Sequence, residues 1–210
     1  GEEIVSVMFD PRSARKPRHD SRRRGSVGVD VERKSGPLQC SSRDPELPMT
    51  PSMRAIDTEL SGVKLLVPEV FSDHRGDYVE LFDTDKYRAV CNGVEFVQDD
   101  ISVSHKGVLR GLHGDFRTTK LVSVVHGEAY ALLADNRIDS PTYRRWQAFT
   151  LSDRNRHQLL IPPGIGNSCV ALSEPIVYWY KQDQHWQPGQ QFTIRWDDPE
   201  WGFEWPITDP

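Results

Sequence analysis

From Ile56 onward, short apolar or alternating runs return about every 8 to 12 residues, separated by Gly, Pro, Asn and Asp. The runs are "VKLLV", "DYVELF", "VEFVQ", "ISVSH", "KLVSVV", "EAYALLA", "WQAFTL", "HQLLI", "SCVAL", "IVYWY" and "QFTIRW". Their β-branched and aromatic content, and the lack of any sustained 3.6-residue period, predict strands and almost no helix. Eleven short strands in roughly 150 residues must close on themselves as a sandwich or barrel, and a jelly roll is the leading form of the all-β class. "IPPGIG" reads as a loop, because its prolines withhold backbone donors and its glycines allow positive φ.

Residues 1–52 follow another grammar. "RSARKPRHDSRRRGSVGVDVERKSG" mixes basic clusters with Ser, Gly and Pro and has no helical or strand period. A segment of this kind buries too little apolar surface to offset its chain entropy, so a disordered N-terminal extension is expected ahead of a jelly-roll domain at 53–210. Three origins compete for the extension. A transit peptide would be poor in acids, yet Glu2, Glu3, Asp10, Asp20, Asp30 and Glu32 are present. A nucleic-acid tail is weakened by the same acids. The favoured reading is translation starting at Met53 or Met49, and the extension is not used to infer function.

Composition narrows the function classes. A net charge of −5 argues against a general binder of nucleic acid or anionic membrane, since attraction to phosphate needs a positive field. Cys40, Cys91 and Cys169 are odd in number, widely spaced and form no CxxC pair, which suits a reducing compartment better than a disulfide framework. No apolar run approaches the ~18 residues that span a bilayer, and no signal-peptide core follows Gly1. The expectation is a cytoplasmic protein without nucleic-acid or membrane partners.

The chemistry concentrates in "GVLRGLHGDF", residues 107–116, where Arg110, His113 and Asp115 lie between glycines. In a cupin-like barrel, a metal site usually shows two histidines one residue apart, pointing to the same face of a strand. Here the histidine nearest upstream of His113 is His105, and His126 stands alone, so a metal cradle is not expected. Metal-free proton transfer is the alternative. His113 lies seven residues before Lys120, which opens "KLVSVV". If both point into the barrel, a neutral imidazole serves as base and an ammonium stabilises an oxyanion, which is what proton abstraction beside a carbonyl requires. Spacing alone leaves open that each is an ordinary surface or packing residue.

A longer pattern adds to this. "FSDHRGDYVELF", "FVQDDISVSHKGVLRGLHGD", "TKLVSVVHGEAY", "DNRIDSPTYRRWQAFTLS", "LLIPPGIGNSCVAL" and "YKQDQHWQPGQQFTIRWDDPEWGFEWP" resemble, in order, the dTDP-4-dehydrorhamnose 3,5-epimerase family. The resemblance covers nearly everything from Ser61 to Pro206. It is similar in particular to a branch acting on nucleotide-linked 4-keto-heptoses, which also writes "HGD", "IPP" and "GN" at these places. The resemblance implies a homodimeric jelly roll that binds a nucleotide-diphospho-4-keto-6-deoxy sugar without metal or cofactor. By the same resemblance His113 matches the base, and Lys120 the residue that stabilises the C4 enolate. Arg75, Tyr78, Glu80, Gln98 and Arg110 match positions that hold nucleotide, diphosphate and sugar. Arg suits bidentate contact with phosphate, and an aromatic ring offers a stacking face.

The chain departs from that pattern at several places. Asn167 stands where the family usually has histidine, Asp115 where it has glutamine, Ala131 where it often has aspartate, and Ser123 where arginine is typical. The resemblance sets a proton-donating tyrosine two residues before a proline, and in "HWQPG" that place is Trp186, whose indole is far too weak an acid. His185, Tyr180 or an ordered water would then return the proton, and a one-residue register shift favours His185. The family also continues past "WPITDP" to an aspartate that orients the histidine, whereas this sequence ends at Pro210. Three readings result: an epimerase inverting C3, C5 or both; a 3,4-ketoisomerase, which would carry a second histidine that "LHGD" lacks; and a sugar-nucleotide binder without turnover.

Overall fold

The computed structural model describes residues 53–208, so the expected disorder of residues 1–52 lies outside the described residues. The chain runs β1 Arg54–Asp57, β2 Lys64–Val67, β3 Val70–Asp73, β4 Gly76–Val79, α1 Thr84–Val90, β5 Gln98–Ser104, β6 Leu109–Gly114 and β7 Lys120–His126. It continues with β8 Glu128–Asp135, β9 Trp146–Ser152, β10 Gln158–Ile161, β11 Ile165–Ala171, β12 Ile176–Gln182 and β13 Phe192–Thr193.

Two antiparallel sheets form the jelly roll. One has the order β1-β2-β10-β7-β12-β5 and the other β13-β6-β11-β8-β9, while β3 and β4 make a separate hairpin. The sheets enclose one apolar core. Val122, Val124, Leu159, Ile161 and Tyr178 of the six-stranded sheet meet Ala129, Ala131, Leu133, Leu151 and Cys169 of the five-stranded sheet. Burying these side chains supplies the main driving force for closing the barrel.

The outer faces are covered by different means. Helix α1 and the residue that caps its C-terminus lay Tyr87 and Cys91 on Leu66, Leu121 and Leu160 of the six-stranded sheet. On the other side, Trp201, Phe203 and Trp205 of the C-terminal segment cover Leu112, Leu132 and Ala134. With the core on one face and the C-terminal segment on the other, β8 is nearly all buried rather than alternating.

Several expectations need correction. Thirteen strands are present among the described residues, and one helix sits in "TDKYRAV". That helix is short, but its start is well signalled: the Asp83 carboxylate accepts the backbone N–H groups of Asp85 and Lys86, each at 3.0 Å. Most of "VEFVQ" is irregular, and "QFTIRW" contributes only two strand residues. The strands omitted from the apolar pattern are β1, β3 and β6, and the one that carries His113 is β6. Its two glycines and two ionisable side chains hide the period that marks the other strands.

Candidate active site

Strand β5 shows where the interior becomes polar. Gln98, Asp100, Ser102 and Ser104 alternate with Asp99, Ile101 and Val103, and it is the first set that is sheltered. Register places Gln98 beside Gln182 and Asp100 beside Tyr180, while Gln182 and Tyr180 stand beside Lys120 and Val122 of β7. Directly paired residues share a face of the sheet, so Gln98, Asp100, Tyr180, Gln182 and Lys120 all face inward, on the same side as the core residue Val122. Asp100 accepts hydrogen bonds from Gln98 Nε2 at 2.6 Å and Gln182 Nε2 at 3.2 Å.

The opposite wall comes from β6 and β11. Asn167 pairs with His113 and Cys169 with Arg110, so two steps along β11 match three along β6. This bulge decides the site. In a regular strand, residues three apart face opposite ways; the extra residue turns both Arg110 and His113 inward. Gly111 absorbs the distortion at φ 124°, and a Cβ there would lie 2.5 Å from Ser168 Cβ and 2.6 Å from the Asn167 carbonyl.

Polar bonds then tie the two sheets together. Arg110 Nε donates to Ser104 Oγ at 2.8 Å, and the Tyr178 hydroxyl donates to Asn167 Oδ1 at 3.4 Å. His113 Nδ1 lies 3.1 Å from Thr193 Oγ1, its cross-strand neighbour on β13. Lys120 makes no ion pair or hydrogen bond with another described side chain, which leaves a sheltered cation free to meet an anionic or partly anionic ligand.

The electrostatics suit proton transfer. Burial lowers the His113 imidazole below its ordinary value, and the Lys120 charge lowers it further. Burial also lowers the Lys120 ammonium, against the opposing charge of Asp115. The Tyr180 phenol is raised by burial and by Asp100, with Arg110 working the other way. The neighbourhood thus holds a neutral base, a cation whose proton is loosened, and a phenol that keeps its proton, which are complementary roles.

The expected site residues fall into three groups. His113, Lys120, Gln98, Arg110 and Asn167 share the barrel interior. His185 instead lines a cavity of about 120 Å³ between β12 and β13 with Asp115, Gln182, Trp186 and Gln190; neither His113 nor Lys120 forms its wall. Trp186 is anchored there by its backbone N–H, which donates to Gln98 Oε1 at 3.0 Å. Arg75, Tyr78 and Glu80 are brought together with neither group. Arg75 pairs with Asp73 at the exposed tip of the β3–β4 hairpin, Tyr78 is 67% exposed, and Glu80 pairs with Lys86 at 2.6 Å.

Asp115 is not a partner of His113. Its Oδ1 accepts the backbone N–H groups of Arg117 and Thr118 at 2.8 and 2.7 Å, which shapes the turn after β6. Asp100, Gln182 and Thr193 are inward groups that the sequence reading missed. The alternation of "QDDISVS" offered a signal for Asp100, but only register reveals Gln182 and Thr193. Among the described residues, no three His, Cys, Asp or Glu side chains are grouped as metal ligands, and no helix is long and apolar enough to cross a membrane.

Two sheets that close on one core and send ionisable side chains into a shared interior define a cupin-like jelly-roll protein. The chain belongs to the dTDP-4-dehydrorhamnose 3,5-epimerase family, whose model matches residues 57–210. A dTDP-4-dehydrorhamnose 3,5-epimerase of Methanothermobacter thermautotrophicus is 39% identical over 156 residues, which span 73% of this chain and 84% of that protein. The Shigella flexneri enzyme of the same name is 39% identical over 162 residues, spanning 75% and 90%. The crystal structure of dTDP-6-deoxy-D-glucose-3,5-epimerase from Legionella pneumophila, in complex with dTDP-4-keto-L-rhamnose, superposes with a TM-score of 0.72 at 35% identity, covering 75% of this chain and 86% of that one. The Bacillus anthracis dTDP-4-dehydrorhamnose 3,5-epimerase with TDP and PPi bound gives 0.73 at 34%, covering 76% and 93%.

Proposed function

We propose that the protein is a sugar-nucleotide epimerase that inverts C3, C5 or both in a nucleotide-diphospho-4-keto-6-deoxy sugar, without a cofactor, for deoxysugar and surface polysaccharide synthesis. One observation carries the reading: His113 projects inward from one sheet, and Lys120 and Tyr180 project inward from the other. A 4-keto sugar between the sheets would lose a C3 or C5 proton to His113 Nε2. The electron pair moves onto the C4 oxygen, where Lys120 stabilises the enolate. Tyr180 then delivers a proton to the opposite face of the carbon, and solvent restores both side chains. A donor facing the base from the far sheet is what inversion requires.

Tyr180 is favoured over His185 as the donor because its register with Asp100 and Val122 faces it inward on the same side as Lys120, whereas His185 follows the end of β12. Arg110, Gln98 and Asn167 are the candidates for holding the sugar and diphosphate from within the barrel. Arg75, Tyr78 and Glu80 would contribute from the hairpin. A cytoplasmic homodimer fits the reading, since β5 is a sheet edge whose outer face leaves Ile101 64% and Val103 57% exposed.

The test is incubation with nucleotide-linked 4-keto-6-deoxy hexose and heptose in deuterated water, following C3 and C5 by NMR. Deuterium incorporation with inversion is expected. Binding without exchange at either carbon overturns the enzyme reading in favour of a sugar-nucleotide binder.

A further inference from the structure

Strand β5 sends a row of side chains inward, and the row has two unlike ends. At one end the Ser104 hydroxyl and the Val103 carbonyl hold the Arg110 guanidinium, at 2.8 and 3.3 Å. Asp100 stands four residues away, about 13 Å along an extended strand. A cation at one end and a carboxylate toward the other give the interior a polarity that a ligand must match.

The Asp100 carboxylate is aimed by groups whose hydrogen-bonding roles admit one reading. The Trp186 backbone N–H can only donate, and it meets Gln98 Oε1 at 3.0 Å. The amide nitrogen of Gln98 therefore points the other way, where it donates to Asp100 Oδ2 at 2.6 Å. Gln182, buried on β12, donates to the same oxygen at 3.2 Å. Oδ2 is thus occupied twice, whereas no donor among the described residues reaches Oδ1. Asp100 is only partly buried, so this second oxygen is open to whatever enters the interior. A carboxylate oxygen only accepts, so the group that completes it must bring a hydrogen, and a phosphate oxygen is repelled from this place.

We infer that Asp100 is a specificity-determining residue: its Oδ1 accepts the C2 hydroxyl of the sugar, which selects substrates that keep a hydroxyl at that carbon. The assignment rests on the reading of the ligand as a nucleotide-linked 4-keto-6-deoxy sugar. In the hexose, C1 carries the diphosphate, C4 the ketone, C5 the ring oxygen and C6 a methyl group, so only C2 and C3 bear hydroxyls. The C3 hydroxyl changes direction when that carbon is inverted, whereas the C2 hydroxyl keeps its direction through the reaction. Asp100 stands directly beside Tyr180 across the strands, so the contact adjoins the group that faces the reacting carbon.

The test compares 4-keto-6-deoxy sugar nucleotides with and without the C2 hydroxyl in the wild type, Asp100→Asn and Asp100→Ala. Removing the hydroxyl should lower kcat/KM of the wild type about 10- to 100-fold, because a sheltered carboxylate oxygen is left unpaired. Asp100→Asn keeps an oxygen for Gln98 and Gln182 and turns a neutral amide inward, so the preference should shrink to about threefold. In Asp100→Ala the two sugars should be handled alike. Calorimetry with the matching unreactive pair, which carries a hydroxyl at C4 in place of the ketone, should give the same preferences in Kd. Equal handling of both sugars by the wild type, or the full wild-type preference kept in Asp100→Ala, overturns the assignment. The calorimetric comparison needs no turnover, so it decides the assignment even where no epimerisation occurs. Binding of neither sugar nucleotide overturns the ligand reading itself, and the assignment with it.

Discussion

Asn167 on β11 stands directly opposite His113 on β6, and the Tyr178 hydroxyl reaches its amide from the far sheet. The residue beside the imidazole is therefore a neutral group, already tied across the barrel. His113 consequently feels one nearby charge, that of Lys120.

Removing the base should separate chemistry from binding. His113→Ala is expected to slow deuterium incorporation by about 10²- to 10⁴-fold. Nucleotide affinity, measured by calorimetry with the nucleoside diphosphate, should stay within a few-fold. Exchange at the wild-type rate would show that another group takes the proton.

Tyr180→Phe should uncouple exchange from inversion. His113 can still remove a proton and return a deuteron on its own side, so the substrate should label at carbon while keeping its configuration. Loss of inversion by about 10²-fold or more is expected. The same result from His185→Gln, with Tyr180→Phe unaffected, would move the donor to the cavity between β12 and β13.

The acidic limb of the pH profile should fall below the ordinary histidine value of 6.5, because burial and then Lys120 lower His113 and a base acts only when neutral. Activity should therefore persist on acidification past that value and fall only as the imidazole becomes charged. Lys120→Met removes the second cause, so NMR titration of His113 in that variant should show protonation at higher pH than in wild type. A downward or absent shift would mean that the two side chains do not sense each other.

Gly111→Ala tests the bulge. A methyl group would meet Ser168 and the Asn167 carbonyl, at a φ that L side chains rarely adopt. A loss of about 2–3 kcal/mol in chemical denaturation is expected, with turnover falling further because Arg110 and His113 would no longer share a face. A stable, fully active variant would show that the bulge is dispensable.

Asp135 should carry a large part of the acid sensitivity. Burial alone would raise its carboxyl, but bonds from Arg137, Ser140 and Thr142 outweigh that and hold it at about 2. A carboxyl lowered on folding contributes stability that is complete above the ordinary value of 3.8 and is lost as pH falls toward about 2. Asp135→Asn should therefore lower stability at neutral pH and flatten its decline in acid, as followed by thermal melting. An unchanged acid limb would place the sensitivity elsewhere.

The sequence by itself determined the class of fold and singled out the candidate reactive side chains. Apolar runs such as "KLVSVV" and "EAYALLA" can be sheltered only by pairing and stacking, so strand identity is written in local composition, and His113 and Lys120 stand out by chemical type. Short-range patterning could not show β6 as a strand, because its apolar period is broken by the residues that serve the interior. Nor could it show that Arg110 and His113 face the same way, since three residues along a regular strand would oppose them. The tertiary structure decided that through the β6–β11 bulge. It likewise brought Tyr180, Asp100 and Gln182 to the His113–Lys120 interior, set Thr193 against the ring, and put His185 on the cavity that Gln182 also lines. These relations depend on register between strands far apart in the chain, and register is fixed only when the two sheets close over their common core.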